Sequence, residues 1–388
     1  MIGYFSFALL ILTLMYSAFI FWCIVGWRKL KTNHSQAKNF TTMISVIVCA
    51  RNEEKNISGC LESLLIQKYP HHLLEIIVVD DHSTDRTVGI IESILQKSST
   101  PKIMVVKNVE KKKRMGYKKQ AITTAIRKSR GELIITTDAD CRMLENWLPA
   151  IVSYYETERP DMISGPVCFD EEKNSFEKLQ SLEFMGLIGI GAGAISNHQP
   201  MMCNGANLAY TKKIFMEVNG FEESSETASG DDTQLMLKIA KVNSSKIHFL
   251  KSADAVVYTS AMNSADDLLQ QRKRWASKIP AKMSLFVLLT GCVAYLLHLG
   301  LFILLSGCLV HATILPLFLF FFSLKIIPEF ILIYSVSVFF RRKNLLWLFF
   351  PAQFIYMIYI SFIGAIAPFG SYHWKGRSIK PERVKFTS

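Results

Sequence analysis

The chain has 388 residues, of which 50% are hydrophobic and 20% charged, with a net charge of +12 and a mean hydropathy of +0.23. Those values exclude intrinsic disorder, collagen-like repeats and small disulfide-stapled scaffolds. The mean conceals a partition, because residues 1–27, 283–324 and 344–374 contain no Asp, Glu, Lys or Arg, and the charge lies between and beside them.

A bilayer-spanning helix needs about 20 apolar residues, so 1–27 suffices for one span. A cleaved signal peptide is the alternative, but no basic region precedes the apolar run and no small-residue cleavage site follows it. Arg28, Lys29, Lys31 and Lys38 come next. The positive-inside rule keeps such a cluster in the cytoplasm, which puts the N-terminus outside and the following domain inside.

Residues 44–49 (ISVIVC) form a continuous β-branched run, as expected of a strand buried on both faces. Residues 53–67 carry Ile57, Leu61, Leu64 and Leu65 at helical spacing. A second strand is expected at 75–79, and a second helix at 84–96 capped by Ser83 or Thr84. A third strand at 102–106, a third helix at 118–128 and a fourth strand at 133–137 follow. This alternation predicts a parallel α/β sheet covered by helices.

Ligands of open parallel sheets gather at the C-terminal strand ends. Here those ends read ARNEE (50–54), DDHSTD (80–85) and DAD (138–140). Helix capping accounts for one such cluster; three on one edge repel one another unless a cation or ligand pairs them. There is no GxGxxG after the first strand and no GxxxxGK[ST], so a dinucleotide fold or a P-loop is disfavoured. Carboxylates one residue apart at a strand end suit Mg²⁺ or Mn²⁺, which prefer oxygen ligands and keep positions open for phosphate. The eight cysteines show no CxxC pair and no zinc-like spacing, so buried free thiols are expected. The apolar, glycine-rich run 185–194 is too short for a span; it reads as an interfacial or channel-facing helix, or equally as a loop on the sheet.

Beyond residue 282, residues 283–324 suit a hairpin of two spans turning near Ser306 and Gly307. Lys325 and Glu329 interrupt the next apolar stretch, which is either an interfacial helix or the second half of a longer span with those charges facing other helices. A last span is expected at 345–367. That makes three or four C-terminal membrane helices, and the side of the basic tail stays open.

The motifs ARNEE, DDHSTD, GYKKQA (116–121), TDADC (137–141), GANLAY (205–210), SGDD (229–232) and QRKRW (271–275) occur in this order. In this the chain resembles the membrane-bound family 2 glycosyltransferases of the GT-A fold, the group of the cellulose, chitin and hyaluronan synthases. The resemblance runs from about 44 to 275, with the flanking apolar helices and WKGR at 374–377. It implies a transmembrane helix at 1–27, a cytoplasmic GT-A domain at 40–282, a membrane region at 283–374 and a basic tail at 375–388.

The resemblance also implies roles for particular residues. Ala50, Arg51, Asn52 and Glu53 would line the nucleoside pocket, Asp81 would bond the base, and Lys118 or Lys119 would approach the diphosphate. Asp138 would contact ribose and metal, with Asp140 the principal ligand of Mg²⁺ or Mn²⁺. Asp232, beside Asp231, would be the base; the pair also suits capping of a helix at 233–240. Asn207, with Gly205 and Ala206, would shape the acceptor pocket. Gln271, Arg274 and Trp275 would meet the acceptor and diphosphate, Gln271 and Arg274 sharing a helix face. Arg272, Lys273, Lys278 and Lys282 read as a basic face beside the bilayer.

The implied reaction is an inverting, metal-assisted transfer of a sugar, hexosyl or N-acetylhexosaminyl, from a nucleotide-diphosphate sugar, UDP-linked by expectation. The acceptor is a membrane-associated glycan or lipid. A nucleotidyltransferase making the activated sugar, and a non-catalytic membrane scaffold or transporter, are the competing readings. The implied partners are the donor, the acceptor, the bilayer, and export or biosynthetic proteins. Nucleic acid is not called for, because the basic excess at 28–38, 272–282 and 341–343 suits anionic lipid. A single N-terminal helix and a short membrane part set the chain apart from the long synthases, and put a large polymer channel in doubt.

Overall fold

The structure, a computed structural model, describes residues 2–32, 39–97, 101–107, 116–222, 231–276, 285–366, 372–374 and 377–379. The basic run 111–114, Ser229, Gly230, Lys278, Lys282, Lys375 and the side chain of Asp231 lie outside the described parts. Helix α1 (Ile2–Lys29) takes up the first uncharged stretch and ends on Arg28 and Lys29, cations suited to the carbonyl end of a helix.

The continuous apolar runs become the centre of a sheet. Strand β1 (Ile44–Ala50) leads through α2 (Ile57–Leu65) to β2 (Leu74–Asp80), every residue of which is buried. Helix α3 (Thr87–Lys97), β3 (Lys102–Lys107), α4 (Tyr117–Lys128) and β4 (Leu133–Asp138) follow. β1 pairs in parallel with β2 and β4, and β2 with β3. The register sets Ala50 beside Asp80 and Cys49 beside Asp138, so the three polar strand ends share one edge.

Helices α2 and α3 begin later than their periodicity suggests. Residues 53–56 form a turn in which Asn56 and Ile57 donate backbone N–H to Glu53 O. The cap of α3 is Asp85, not Ser83 or Thr84: its carboxylate accepts Thr87 N at 3.0 Å and Glu54 N at 3.1 Å. Ser83 is engaged elsewhere, donating its N–H to Asp80 at 3.2 Å.

The second half is built from short pieces: β5 (Arg142–Met143), α5 (Trp147–Glu158), β6 (Met162–Ser164), β7 (Val167–Phe169), α6 (Ser175–Ser196), β8 (Leu208–Thr211) and α7 (Lys212–Glu217). Then come α8 (Asp231–Asn243), β9 (Ile247–Phe249), β10 (Val257–Thr259) and α9 (Ala265–Ala276). The main sheet has seven strands in the order β3-β2-β1-β4-β8-β6-β9, with β8 antiparallel to both neighbours; β5, β10 and β7 make a second sheet. These strands are too short to carry a readable alternation, which is why the sequence did not announce them.

Three helices follow, α10 (Leu285–Cys308), α11 (Leu315–Phe339) and α12 (Phe349–Ile366), then the hairpin of β11 (Tyr372–Trp374) and β12 (Arg377–Ile379). α11 runs unbroken through Lys325, Pro328 and Glu329, which favours the long span over an interfacial helix. Its charges are absorbed by neighbours. Lys325, 2% exposed, pairs with Glu329 at 3.0 Å and donates to Gln353 of α12, while Tyr16 of α1 donates to Glu329. Strand β11 lies against α9.

Among the described residues, α1, α6, α10, α11 and α12 contain stretches long and apolar enough to cross a membrane. The run 185–194 is thus helix rather than loop. α6 packs on α1 and α11, and its crossing with α1 requires glycine on both sides. A Cβ at Gly26 would stand 2.1 Å from Gly193 O, and one at Gly193 2.3 Å from Cys23 O. Two arginines expected to face lipid are turned inward instead. Arg342 donates to Glu172 at 2.9 Å and to Phe169 O at 3.3 Å, and Arg272 is paired on α6.

Candidate active site

The strand-end clusters lock one another. Asn52 and His82 hold left-handed backbone, at φ 51° and 58°, so the chain turns sharply after β1 and β2. Arg51 Nη1 donates to Asp81 O at 2.6 Å and His82 O at 3.1 Å, bracing one turn against the other. Asn52 Oδ1 accepts Thr84 N at 2.9 Å, Glu53 N donates to Thr87 Oγ1 at 2.8 Å, and Asp81 N to Ala50 O at 2.9 Å. Ala50, Arg51, Asn52, Glu53 and Asp81 therefore form one continuous rim, with Glu53 and Asp81 buried.

Beside this rim, Lys118 Nζ on the first turn of α4 donates to Asp138 Oδ1 at the end of β4, 2.7 Å away. Both line a cavity whose far wall carries Gly205 and Asp232. Asp232 sits in the first turn of α8, and its carboxylate accepts Gly205 N at 3.1 Å and Thr233 N at 2.8 Å. Those donors fix its orientation, and the position is that of a capping carboxylate as well. Lys119 is not at the cavity: it is 1% exposed and donates to Gln234 of α8 at 2.8 Å, so it joins α4 to α8 behind the wall.

Asp140 is exposed just past Asp138. Beneath them Cys60 Sγ lies 3.6 Å from Asp138 O, and Cys141 Sγ 3.6 Å from Asp140 Oδ1. Burial raises both thiols, and the charges of Asp140 and Asp138 raise them further. Two carboxylates thus concentrate negative potential at the strand end. Among the described residues no three His, Cys, Asp or Glu side chains gather into a metal cage. A pair of oxygen donors with open positions fits Mg²⁺ or Mn²⁺ shared with phosphate, and does not fit a closed structural site.

Asn207 is not presented to the cavity. It is 1% exposed; its Oδ1 accepts Trp147 Nε1 at 3.1 Å, and its Nδ2 donates to Pro166 O at 2.8 Å and Ala255 O at 2.7 Å. The side chain is a fastener beneath the site. Gln271, Arg274 and Trp275 also lie outside the cavity lining, on α9 against α6. Trp275 is half-buried, with its ring 6.3 Å from that of Phe184. Their neighbour Arg272, read from the sequence as part of a basic lipid face, is 5% exposed and paired with Glu183 at 2.6 Å. The signal for it was present: Glu183 is an isolated carboxylate at the edge of an apolar run, and such a charge needs a partner.

With this geometry in view, comparison with known proteins is informative. The pattern described as glycosyl transferase family 2 matches residues 45–218, and that of glycosyl transferase family group 2 matches 133–363, spanning catalytic and apolar segments together. Glycosyltransferase AglE of Haloferax volcanii is 30% identical over 148 residues, 36% of this chain and 47% of that protein. The probable glycosyltransferase YdaM of Bacillus subtilis is 24% identical over 238 residues, 60% of this chain and 54% of that protein. The matched stretches thus span about half the length of these relatives. Among solved structures, a mannosyltransferase from Pyrobaculum calidifontis in complex with GDP-Man and Mn²⁺ superposes with a TM-score of 0.59 at 18% identity, over 94% of this chain and 99% of that one. That likeness gives the α/β domain its GT-A fold. The chain belongs to the family 2 glycosyltransferases.

Proposed function

We propose that the chain is an inverting glycosyltransferase that moves a sugar from a nucleotide-diphosphate donor to a membrane-associated glycan or lipid. The observation that carries this reading is the convergence of Lys118, Asp138 and Asp232 on one cavity. A cation and a carboxylate stand on one wall and a held carboxylate on the other. The rim of Arg51, Asn52, Glu53 and Asp81 takes the nucleoside, and Lys118 the diphosphate. Held by Asp138 and Asp140, a Mg²⁺ or Mn²⁺ ion would neutralise charge on the leaving diphosphate. Asp232, oriented by Gly205 N and Thr233 N, accepts the proton of the acceptor hydroxyl as that oxygen bonds the anomeric carbon. The bond from that carbon to the diphosphate oxygen breaks on the opposite face, the nucleoside diphosphate leaves with the electron pair, and configuration inverts without a covalent intermediate.

Gln271, Arg274 and Trp275 meet the acceptor where α9 approaches the apolar helices. The domain from 40 to 282 works at the cytoplasmic face, anchored by α1 and by α10 to α12. The contact of β11 with α9 supports a tail on the same side. Membership of a glycosyltransferase family leaves the nucleotidyltransferase and scaffold readings without support.

The test incubates the full chain, in vesicles of host lipid, with labelled UDP- and GDP-linked sugars and scores nucleoside diphosphate release and label in the glycan and lipid fractions. Transfer that Asp232→Asn abolishes while UDP or GDP binding persists is the expected result. Full activity in that variant removes Asp232 as base. Asp140→Ala should lose the Mn²⁺-dependent gain in nucleotide affinity; an unchanged gain removes Asp140 as ligand.

A further inference from the structure

Arg272 lies between two motif residues, Gln271 and Trp275, and touches both. Its guanidinium carbon stands 4.1 Å from the centroid of the Trp275 ring, and its Nη1 donates to Gln271 Oε1 at 3.1 Å. Nη2 donates to Glu183 Oε2 at 2.6 Å, and Glu183 belongs to α6, a different element. The guanidinium is thus fixed from outside its own helix.

We infer that Glu183 and Arg272 are positioning residues, which set the plane of Trp275 and the amide of Gln271 for the acceptor. The inference rests on the reading that Gln271 and Trp275 contact the acceptor.

The physical case has three parts. A guanidinium over an indole face is attracted by the ring's quadrupole, more strongly where water is excluded. Arg272 and Trp275 are three apart on α9, so they share a face and meet without strain. Left alone, a long arginine side chain samples many rotamers. The charge-assisted bond to Glu183 holds it in one of them, 5% exposed.

The ring is bounded on another side by α6 itself. Phe184, next to Glu183, lies 6.3 Å from Trp275 and stacks on Phe169 at 4.6 Å and 11°. Tyr356 of α12 donates to Leu179 O of the same helix at 2.7 Å. Helix α6, packed on α1 and α11, therefore links the apolar helix cluster to the aromatic platform of α9. A displacement of the order of 1 Å in such a platform would misplace the acceptor that it orients.

The test uses the full chain in lipid nanodiscs and isolates Trp275 emission by subtracting the spectrum of Trp275→Phe. Glu183→Gln keeps the size and removes the charge, and should at least double acrylamide quenching of that emission. Glu183→Asp, which retains the carboxylate, should restore most of the protection. Titration with UDP and GDP should stay within twofold in both, showing an intact donor site. In vesicles of total host lipid with a labelled nucleotide sugar, Glu183→Gln should raise KM for the lipid about fivefold or more with kcat within twofold. Unchanged quenching in Glu183→Gln overturns the positioning role, whatever the transfer arm gives. If Trp275→Ala transfers sugar normally while Glu183→Gln alters the emission, the acceptor reading fails and the positioning contact stands.

Discussion

Lys118 and Asp138 form an ion pair on one wall of the cavity, Nζ to Oδ1 2.7 Å, with side chains 23% and 37% exposed. A pair that open to water contributes about 0–1 kcal/mol to stability. Under the proposed function its placement serves binding, with the ammonium meeting the donor diphosphate. Lys118→Met should weaken UDP or GDP binding about 10- to 100-fold, as expected for losing a charged hydrogen bond worth about 1.5–3 kcal/mol. Calorimetric titration checks this, and the unfolding midpoint should barely move. An unchanged nucleotide affinity would assign the diphosphate to another cation.

Asn207 calls for the opposite result. Removing its side chain leaves the Trp147 indole N–H and the carbonyl of Ala255 without their partner in a buried place, while Pro166 O keeps Val257 N at 3.0 Å. Each stranded group costs about 1–3 kcal/mol, so Asn207→Ala should lose about 2 kcal/mol or more in urea unfolding. Gly165→Ala should act alike, because the added methyl would stand 2.3 Å from Asn207 Nδ2. Nucleotide affinity of the folded fraction should hold within about twofold. A stable Asn207→Ala protein with impaired transfer would restore the acceptor role.

What the sequence disclosed depended on the length of the signal. The parallel half was readable from β-branched runs such as 44–49 and 133–137, because a strand buried on both faces leaves an unbroken apolar record. Parallel pairing then brings the polar ends at Ala50, Asp80 and Asp138 to one edge. The second half was not readable: β6 and β9 are three residues each, and their pairing is set by contacts distant in sequence. Side-chain direction was equally hidden. Nothing in KK at 118–119 says that one lysine faces the cavity and the other Gln234, nor in QRKRW that Arg272 turns inward.

A pH dependence follows from Glu75, which is 2% exposed on β2. Burial alone would raise its carboxyl, but hydrogen bonds from Ser45 Oγ at 2.6 Å and from Arg130 N and Nε at 2.5 and 3.2 Å outweigh it. The net effect holds Glu75 below its ordinary value of 4.5. A carboxyl lowered by folding stabilises the fold above its unfolded pKa, and that contribution is lost as pH falls through the lowered folded value. The unfolding midpoint should therefore be level from about pH 7 to 5 and decline once the carboxylate range is reached. Glu75→Gln should be less stable at neutral pH and lose part of that acid slope. The same slope in wild type and variant would move the effect to other carboxylates.

The buried charges of α11 give the sharpest test of how the apolar helices assemble. Lys325 engages Glu329 one turn on and Gln353 of α12, while Glu329 also receives the hydroxyl of Tyr16 from α1, so the group ties three helices together. Breaking a buried pair from one side leaves an uncompensated charge and costs about 3–5 kcal/mol, whereas replacing both partners by apolar residues is often neutral. Lys325→Met and Glu329→Leu should each lower the thermal midpoint and the monodisperse yield in detergent. The double variant should recover most of the loss, giving a coupling energy of about 1–3 kcal/mol in a double-mutant cycle. Additive losses would mean that the two charges answer to separate partners. A double variant that is stable yet transfers no sugar would show that the polar group serves the reaction as well as assembly.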